Sequence, residues 1–167
     1  WYPHKNLSII PKVLDVLIKK GYTNIVFLVT LPKEDMAKLC LEDKYKGQLM
    51  NIGPIKVEEG ASLYKECDAM FLPTLLECFS ASYAEAMKLK KPIITSDMGF
   101  AHTVCKDAAL YVNPMDADDI ALKIIELSTS YELQQDLVTR GVKRLEVFGS
   151  SNDRAKRYLE ICEALVK

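Results

Sequence analysis

No run of about 18 apolar residues occurs in the chain, which argues against a membrane-spanning helix. The five cysteines (Cys40, Cys67, Cys78, Cys105 and Cys162) are odd in number and show no Cys-x-x-Cys spacing. A zinc site or a disulfide framework is thereby disfavoured, and free thiols in a reducing compartment are expected. Positive charge is not in excess: 22 Lys and Arg stand against 23 Asp and Glu, for a net charge of −1. Nucleic acid and an anionic membrane are therefore not expected as main partners, although one local anion pocket is compatible with that balance. Repeats, low-complexity tracts, long linkers and a secretory leader pattern are also missing. The opening Trp1-Tyr2-Pro3 does not read as a start of synthesis, so the chain is expected to be a piece of a longer protein.

What is present suits one folded domain over residues 1–167. Apolar residues make up 49% and charged residues 27% of the 167 positions, enough to bury a core. Leu7, Ile10, Leu14, Leu17 and Ile18 recur at helical spacing and end at Gly21. Residues 24–30 form a continuous apolar, β-branched run, as in a parallel strand covered on both faces. Residues 33–46 predict a polar helix with a solvated face. Strands are predicted at 50–55, 68–72, 92–96 and 110–112, and helices at 58–67, 80–89 and 101–105. After Pro114 only helices follow, the first of them capped by Asp116. This order predicts an α/β class, a doubly wound Rossmann-like domain. Its mainly parallel sheet has five to six strands and is closed by C-terminal helices. A sixth strand would precede the first helix. Ligands of such sheets lie beyond the carboxyl ends of the strands, here after Thr30, Gly53, Leu72 and Ser96.

The segment from Pro73 to Met87 follows a strand and opens a helix, and it carries two acids, Glu77 and Glu85. Ser80, Ala81 and Ser82 are small residues at the helix start, where free backbone N–H groups and the helix dipole favour a phosphate. Carboxylates nearby accept hydrogen bonds from hydroxyls. Phosphate on the amides and hydroxyls on the acids together describe a nucleoside diphosphate sugar. Asp116 and Asp118 share the Asp-x-Asp spacing of some metal sites but fit a helix cap better. His102 and the half-buried Cys78 have no chemical role assigned by the pattern.

With Phe79 two places after the first acid, the run Glu77-x7-Glu85 resembles the E-x-F-G-x4-E motif of family-4 retaining glycosyltransferases. Asp68 to Thr74, Lys91 to Ser96 and Asp107 to Pro114 are similar to further conserved strands of that family, in the same order. The resemblance covers nearly the whole chain and implies the C-terminal, donor-binding domain of the GT-B architecture. It implies that Glu85 holds the ribose and that Glu77 contacts donor-sugar hydroxyls near the reacting centre. Phe79, Cys78, Ser80, Ala81 and Ser82 would line the sugar and diphosphate, with Lys5 neutralising the diphosphate and Gly53 lying against the base. Ser80 departs from the glycine usual in the family.

The donor would be a UDP, GDP or similar sugar, with no cofactor and no metal required. The expected activity is retaining hexosyl transfer to a glycan or lipid-linked acceptor in polysaccharide biosynthesis. The acceptor domain would be the missing N-terminal half, so the isolated domain is expected to be inactive. The full enzyme is expected in the cytoplasm, with peripheral association at the inner membrane face. Rival readings are a nucleotide-sugar-binding pseudoenzyme or regulatory module, and a nucleotide-sugar epimerase of the same architecture.

Overall fold

A computed structural model describes residues 2–39 and 45–166. Among the described residues there are five short strands, and all pair in parallel. β1 (Phe27–Val29) pairs with β2 (Leu49–Asn51), Phe27 lying opposite Leu49. β3 (Met70–Leu72), β4 (Ile93–Ser96) and β5 (Leu110–Val112) form a second sheet in that spatial order. In its register Met70 faces Ile93 and Ile94 faces Leu110. The α/β class therefore stands, with the strands divided between a two-stranded and a three-stranded sheet. The Phe27 and Phe71 rings meet edge to face at 5.5 Å between those sheets.

Alternation along the strands sends side chains into two cores, as the period of two requires. Phe71, Ile94, Leu110 and Val112 join one core with α1 (Ile10–Lys19) and α6 (Ala117–Thr129). Met70, Leu72, Ile93 and Tyr111 join the other. There they meet α4 (Ala81–Lys88) and α5 (Gly99–Cys105). β4 is buried at every position, its polar half included: Thr95 lies in the interior with its hydroxyl donating to the Leu72 carbonyl at 3.0 Å and paired with the Tyr83 hydroxyl at 2.8 Å. α7 (Tyr131–Leu145) spans both cores, with Leu137 in the first and Leu145 against the second. Gly141 lets it approach α4 closely, since a Cβ there would lie 3.2 Å from Met87 Cγ.

The sequence-based boundaries hold best where a cap or a full strand pairing fixes them. Asp116 accepts from the amides of Asp118 and Asp119 at 3.0 and 3.1 Å and starts α6, so it is a cap here. The polar helix expected at 33–46 is instead α2 (Lys33–Met36) followed by a 3-10 turn, Ala37–Leu39; Cys40 and its neighbours lie outside the described residues. α3 (Val57–Glu66) buries no residue fully. α8 (Ser151–Leu165) is exposed along its whole length, and Tyr158, Leu159, Ile161 and Leu165 face solvent. Among the described residues no helix is long and apolar enough to cross a membrane.

Candidate functional site

The carboxyl ends of β3 and β5 are joined by the segment that precedes α1. This segment runs through two 3-10 turns, Pro3–Lys5 and Leu7–Ile9, hinged at Asn6 in the left-handed conformation (φ 55°, ψ 30°). Asparagine tolerates that region better than most residues. The Asn6 side-chain nitrogen is buried and donates to the carbonyls of Pro73 (3.1 Å) and Pro114 (2.8 Å). The His4 carbonyl accepts from the Leu75 amide at 2.7 Å and from the Thr74 hydroxyl at 3.0 Å. Lys5 sits between these two anchorages, and its ammonium forms an ion pair with the Glu77 carboxylate. Lys5 is 33% exposed and Glu77 only 11%, so the acid is the more shielded partner. Sequence reading placed Lys5 and Glu77 in one site; the structure brings them into direct contact across 72 positions.

Ser80 holds the N-cap backbone position of α4 (φ −107°, ψ 120°), so the helix begins where expected. Its hydroxyl makes no capping bond, contrary to the usual use of serine there. The first-turn amides of Ala81 and Ser82 belong to the donors that an α-helix cannot satisfy itself. Cys78 is exposed rather than half-buried, because the loop turns it outward before α4 begins. Phe79 is 58% exposed and its ring meets that of Phe148 edge on at 6.5 Å. Phe148 lies under the Arg144 guanidinium at 5.1 Å, and Arg144 is itself bound to the carbonyls of Val104 (2.7 Å) and Thr103 (2.9 Å).

Glu85 lies one turn further along α4, exposed, on the side of α3. Tyr64 of α3 donates to the Ser82 carbonyl at 3.5 Å, and burial followed by the Glu85 charge pushes its phenol up from the ordinary value. Gly53 lies beyond β2 at φ 77°, a conformation that favours glycine, with open space where a Cβ would stand. Its amide bonds the Asn51 side chain at 3.1 Å, which also pairs with both backbone groups of Leu31 at 2.9 Å. Thus Asn51 ties the exits of β1 and β2 together, as Asn6 ties those of β3 and β5. Neither asparagine was singled out from the sequence, because each acts through loops distant along the chain.

A third exposed group stands beyond β4. His102 Nε2 lies 2.5 Å from Asp97 Oδ1, and its ring stacks on Tyr111 with centroids 3.8 Å apart. The Tyr111 hydroxyl donates to the Lys106 carbonyl at 2.5 Å. Among the described residues no three His, Cys, Asp or Glu converge as a metal site would require.

Comparison with known proteins matches residues 2–144 to the family of glycosyl transferases group 1. The chain belongs to that family. Over 115 residues it is 29% identical to the O-antigen chain mannosyltransferase RfbU of Salmonella typhimurium strain LT2, covering 69% of this chain and 33% of that protein. The chain thus spans about a third of the length of this relative. The C-terminal domain of a glycosyl transferase group 1 protein, LpcC, from Francisella tularensis superposes with a TM-score of 0.72 at 22% identity, covering 88% of this chain and 80% of that one. S. aureus TarM, solved with UDP among its ligands, superposes with a TM-score of 0.82 at 16% identity, covering 95% and 33%. Sucrose-phosphate synthase from Thermosynechococcus elongatus does so at 0.80 and 17%, covering 99% and 43%. These likenesses fix the fold as that of a glycosyltransferase domain of the GT-B kind.

Proposed function

We propose that this domain binds a nucleoside diphosphate sugar and supplies the donor half of a retaining hexosyltransferase. The observation that carries the reading is the Lys5–Glu77 pair at the exit of β3, immediately ahead of the α4 N-terminus. A cation and a set of unsatisfied amides suit a diphosphate, and two acids beside them suit hydroxyls. Glu85 would take the ribose hydroxyls and Glu77 those of the sugar. The segment Phe79, Ser80, Ala81 and Ser82 would cover the diphosphate, and Gly53 would admit the base. As the anomeric bond breaks, negative charge grows on the leaving diphosphate. Lys5 and the α4 amides stabilise that growing charge more than the ground state, which is what accelerates transfer. On this reading no metal is required. The acceptor pocket belongs to a preceding domain, and the complete enzyme works at the cytoplasmic side of a membrane.

Calorimetric titration with UDP, GDP and ADP tests the reading. One of them should bind, and Glu85→Ala should weaken it by roughly 10–100-fold, the worth of hydrogen bonds to a charged group. Absence of binding by all three, or binding indifferent to Glu85→Ala, would sink the proposal. Sugar transfer by this chain alone, above the Glu85→Ala control, would refute the assignment of the acceptor site to another domain.

A further inference from the structure

We propose that Asn6 and Thr74 are positioning residues that bracket Lys5 and aim its ammonium at the diphosphate subsite, so that they control diphosphate recognition through Lys5. This rests on the donor-site reading above and adds to it the device that holds the cation in place.

Three observations converge on it. Asn6 spends both protons of its buried amide on carbonyls from two loops, Pro73 after β3 and Pro114 after β5. Thr74, fully buried, fixes the residue on the other side of Lys5 by donating to the His4 carbonyl. The backbone of Lys5 is therefore pinned at both neighbours, and only its own side-chain torsions remain. The third observation separates this role from general stability. α1 is held by Ile10, Val13, Leu14 and Leu17, each at most 1% exposed, packed in one core with Ile120 and Ala121 of α6. That packing fixes the helix without the preceding loop. The bracket acts on the loop, and the loop carries the charge that meets Glu77. A glycine at position 6 would keep the left-handed backbone and lose only the amide.

The test uses Asn6→Gly and the near-isosteric Thr74→Val, so that loss of folding in one leaves the other to decide. The first readout needs no nucleotide: the side-chain carboxyl carbon resonance of Glu77, compared among wild type, Lys5→Ala and the two variants. Each variant should move that resonance toward its position in Lys5→Ala, because the ammonium leaves the carboxylate. The second readout is the preference for a nucleoside diphosphate over its monophosphate, measured by calorimetry. Either variant should lower that preference at least about fivefold, and should change it by less than about twofold in a Lys5→Ala background, since residues acting through one another are not additive. A folded Asn6→Gly or Thr74→Val protein whose Glu77 resonance stays at the wild-type position overturns the proposal, whatever the nucleotides do. Failure of the wild type to bind any nucleotide overturns the donor-site reading instead, and the carboxyl resonance then decides the bracket alone.

Discussion

Replacing Lys106 by glycine should stabilise this domain. Lys106 lies between α5 and β5 at φ 53°, ψ −119°, outside the regions open to a residue with a Cβ. Such a residue costs about 1–3 kcal/mol. Glycine removes that strain but gives the unfolded chain more freedom, worth about 0.4–1 kcal/mol in the opposite sense. Both hydrogen bonds made by Lys106 use the backbone: its amide donates to the His102 carbonyl at 3.0 Å and its carbonyl accepts from Tyr111. Glycine keeps both. The net gain is about 1 kcal/mol, or about 2–4 °C in melting temperature for a chain of this size. Lys90 is the internal comparison. It also has positive φ, 57°, and follows α4 with the Lys90 and Lys91 amides bonded to Met87 and Ala86 as in a Schellman turn. A helix end of this kind tolerates a non-glycine residue better, so Lys90→Gly should gain less than Lys106→Gly. Scanning calorimetry with urea titration measures both. A Lys106→Gly protein that melts at or below the wild type, or a larger gain for Lys90→Gly, refutes the strain argument.

Alkaline pH should destabilise the fold in two stages. Burial pushes the Cys105 thiol from 9.0 up to about 12, and the Tyr83 phenol from 10.0 up to about 12. The folded state then keeps protons that the unfolded state has lost, so stability is whole below about pH 9 and falls as pH rises toward 12. The fall is ~1.4 kcal/mol per pH unit for each group, beginning with the thiol and steepening above pH 10. Cys105→Ala should delay the onset by about one unit in urea melts, and a flat profile up to about pH 11 would contradict the assigned burial. Deleting residues 151–167 should change the melting temperature by no more than about 2 °C, since α8 buries no residue; a larger loss would show unseen packing. Glu77→Gln should tighten free nucleoside diphosphate about fivefold, by releasing Lys5 from a part-exposed pair worth about 1 kcal/mol, while weakening the extra affinity brought by the sugar. Weaker diphosphate binding in that variant would mean that Glu77 holds Lys5 in place for the ligand and does not compete with it.

The legible part of this fold is the part governed by local periodicity or a local cap. β5 at Leu110–Val112 and the Asp116 cap fall where the sequence puts them. Strand ends are less legible, because an apolar run records burial while a strand also needs a partner backbone. Residues 24–30 read as one run, yet pairing starts at Phe27, opposite Leu49, and ends at Val29. Of the helix expected at 33–46, the described part is α-helical at Lys33–Met36 and then tightens to a 3-10 turn at Ala37–Leu39. Met36 packs on the core and Leu39 is buried, so apolar spacing marked the buried side chains but not the type of turn that carries them. In the candidate site, the acids and the helix entrance were visible as residue types in order. The exposure of Cys78 was not, since a loop carries no periodicity from which orientation can be read. The absence of a side-chain cap from Ser80 was equally hidden, because capping depends on a rotamer and not on composition.

The two asparagines show where sequence reasoning must give way to topology. Asn6 and Asn51 do not look alike in sequence: Asn6 follows His4 and Lys5 in a polar stretch, whereas Asn51 lies between the apolar Met50 and Ile52. Each becomes a tie between strand exits because parallel strands deliver their loops to one edge. Asn6 unites loops 67 and 108 positions away, and Asn51 a loop 20 positions away. That edge is also where backbone groups leave the ladder and need other partners, so a side-chain amide there satisfies stranded carbonyls and sets loop geometry together. The consequence for chemistry is specific. A lysine on an unbraced loop would spread its charge over many conformers and pay their entropy on meeting an anion. Lys5 is held between the bonded His4 carbonyl and the bonded Asn6 amide and is paired with Glu77; on the proposed donor-site reading, part of that cost is met in folding and Glu77 compensates the charge in the unliganded site.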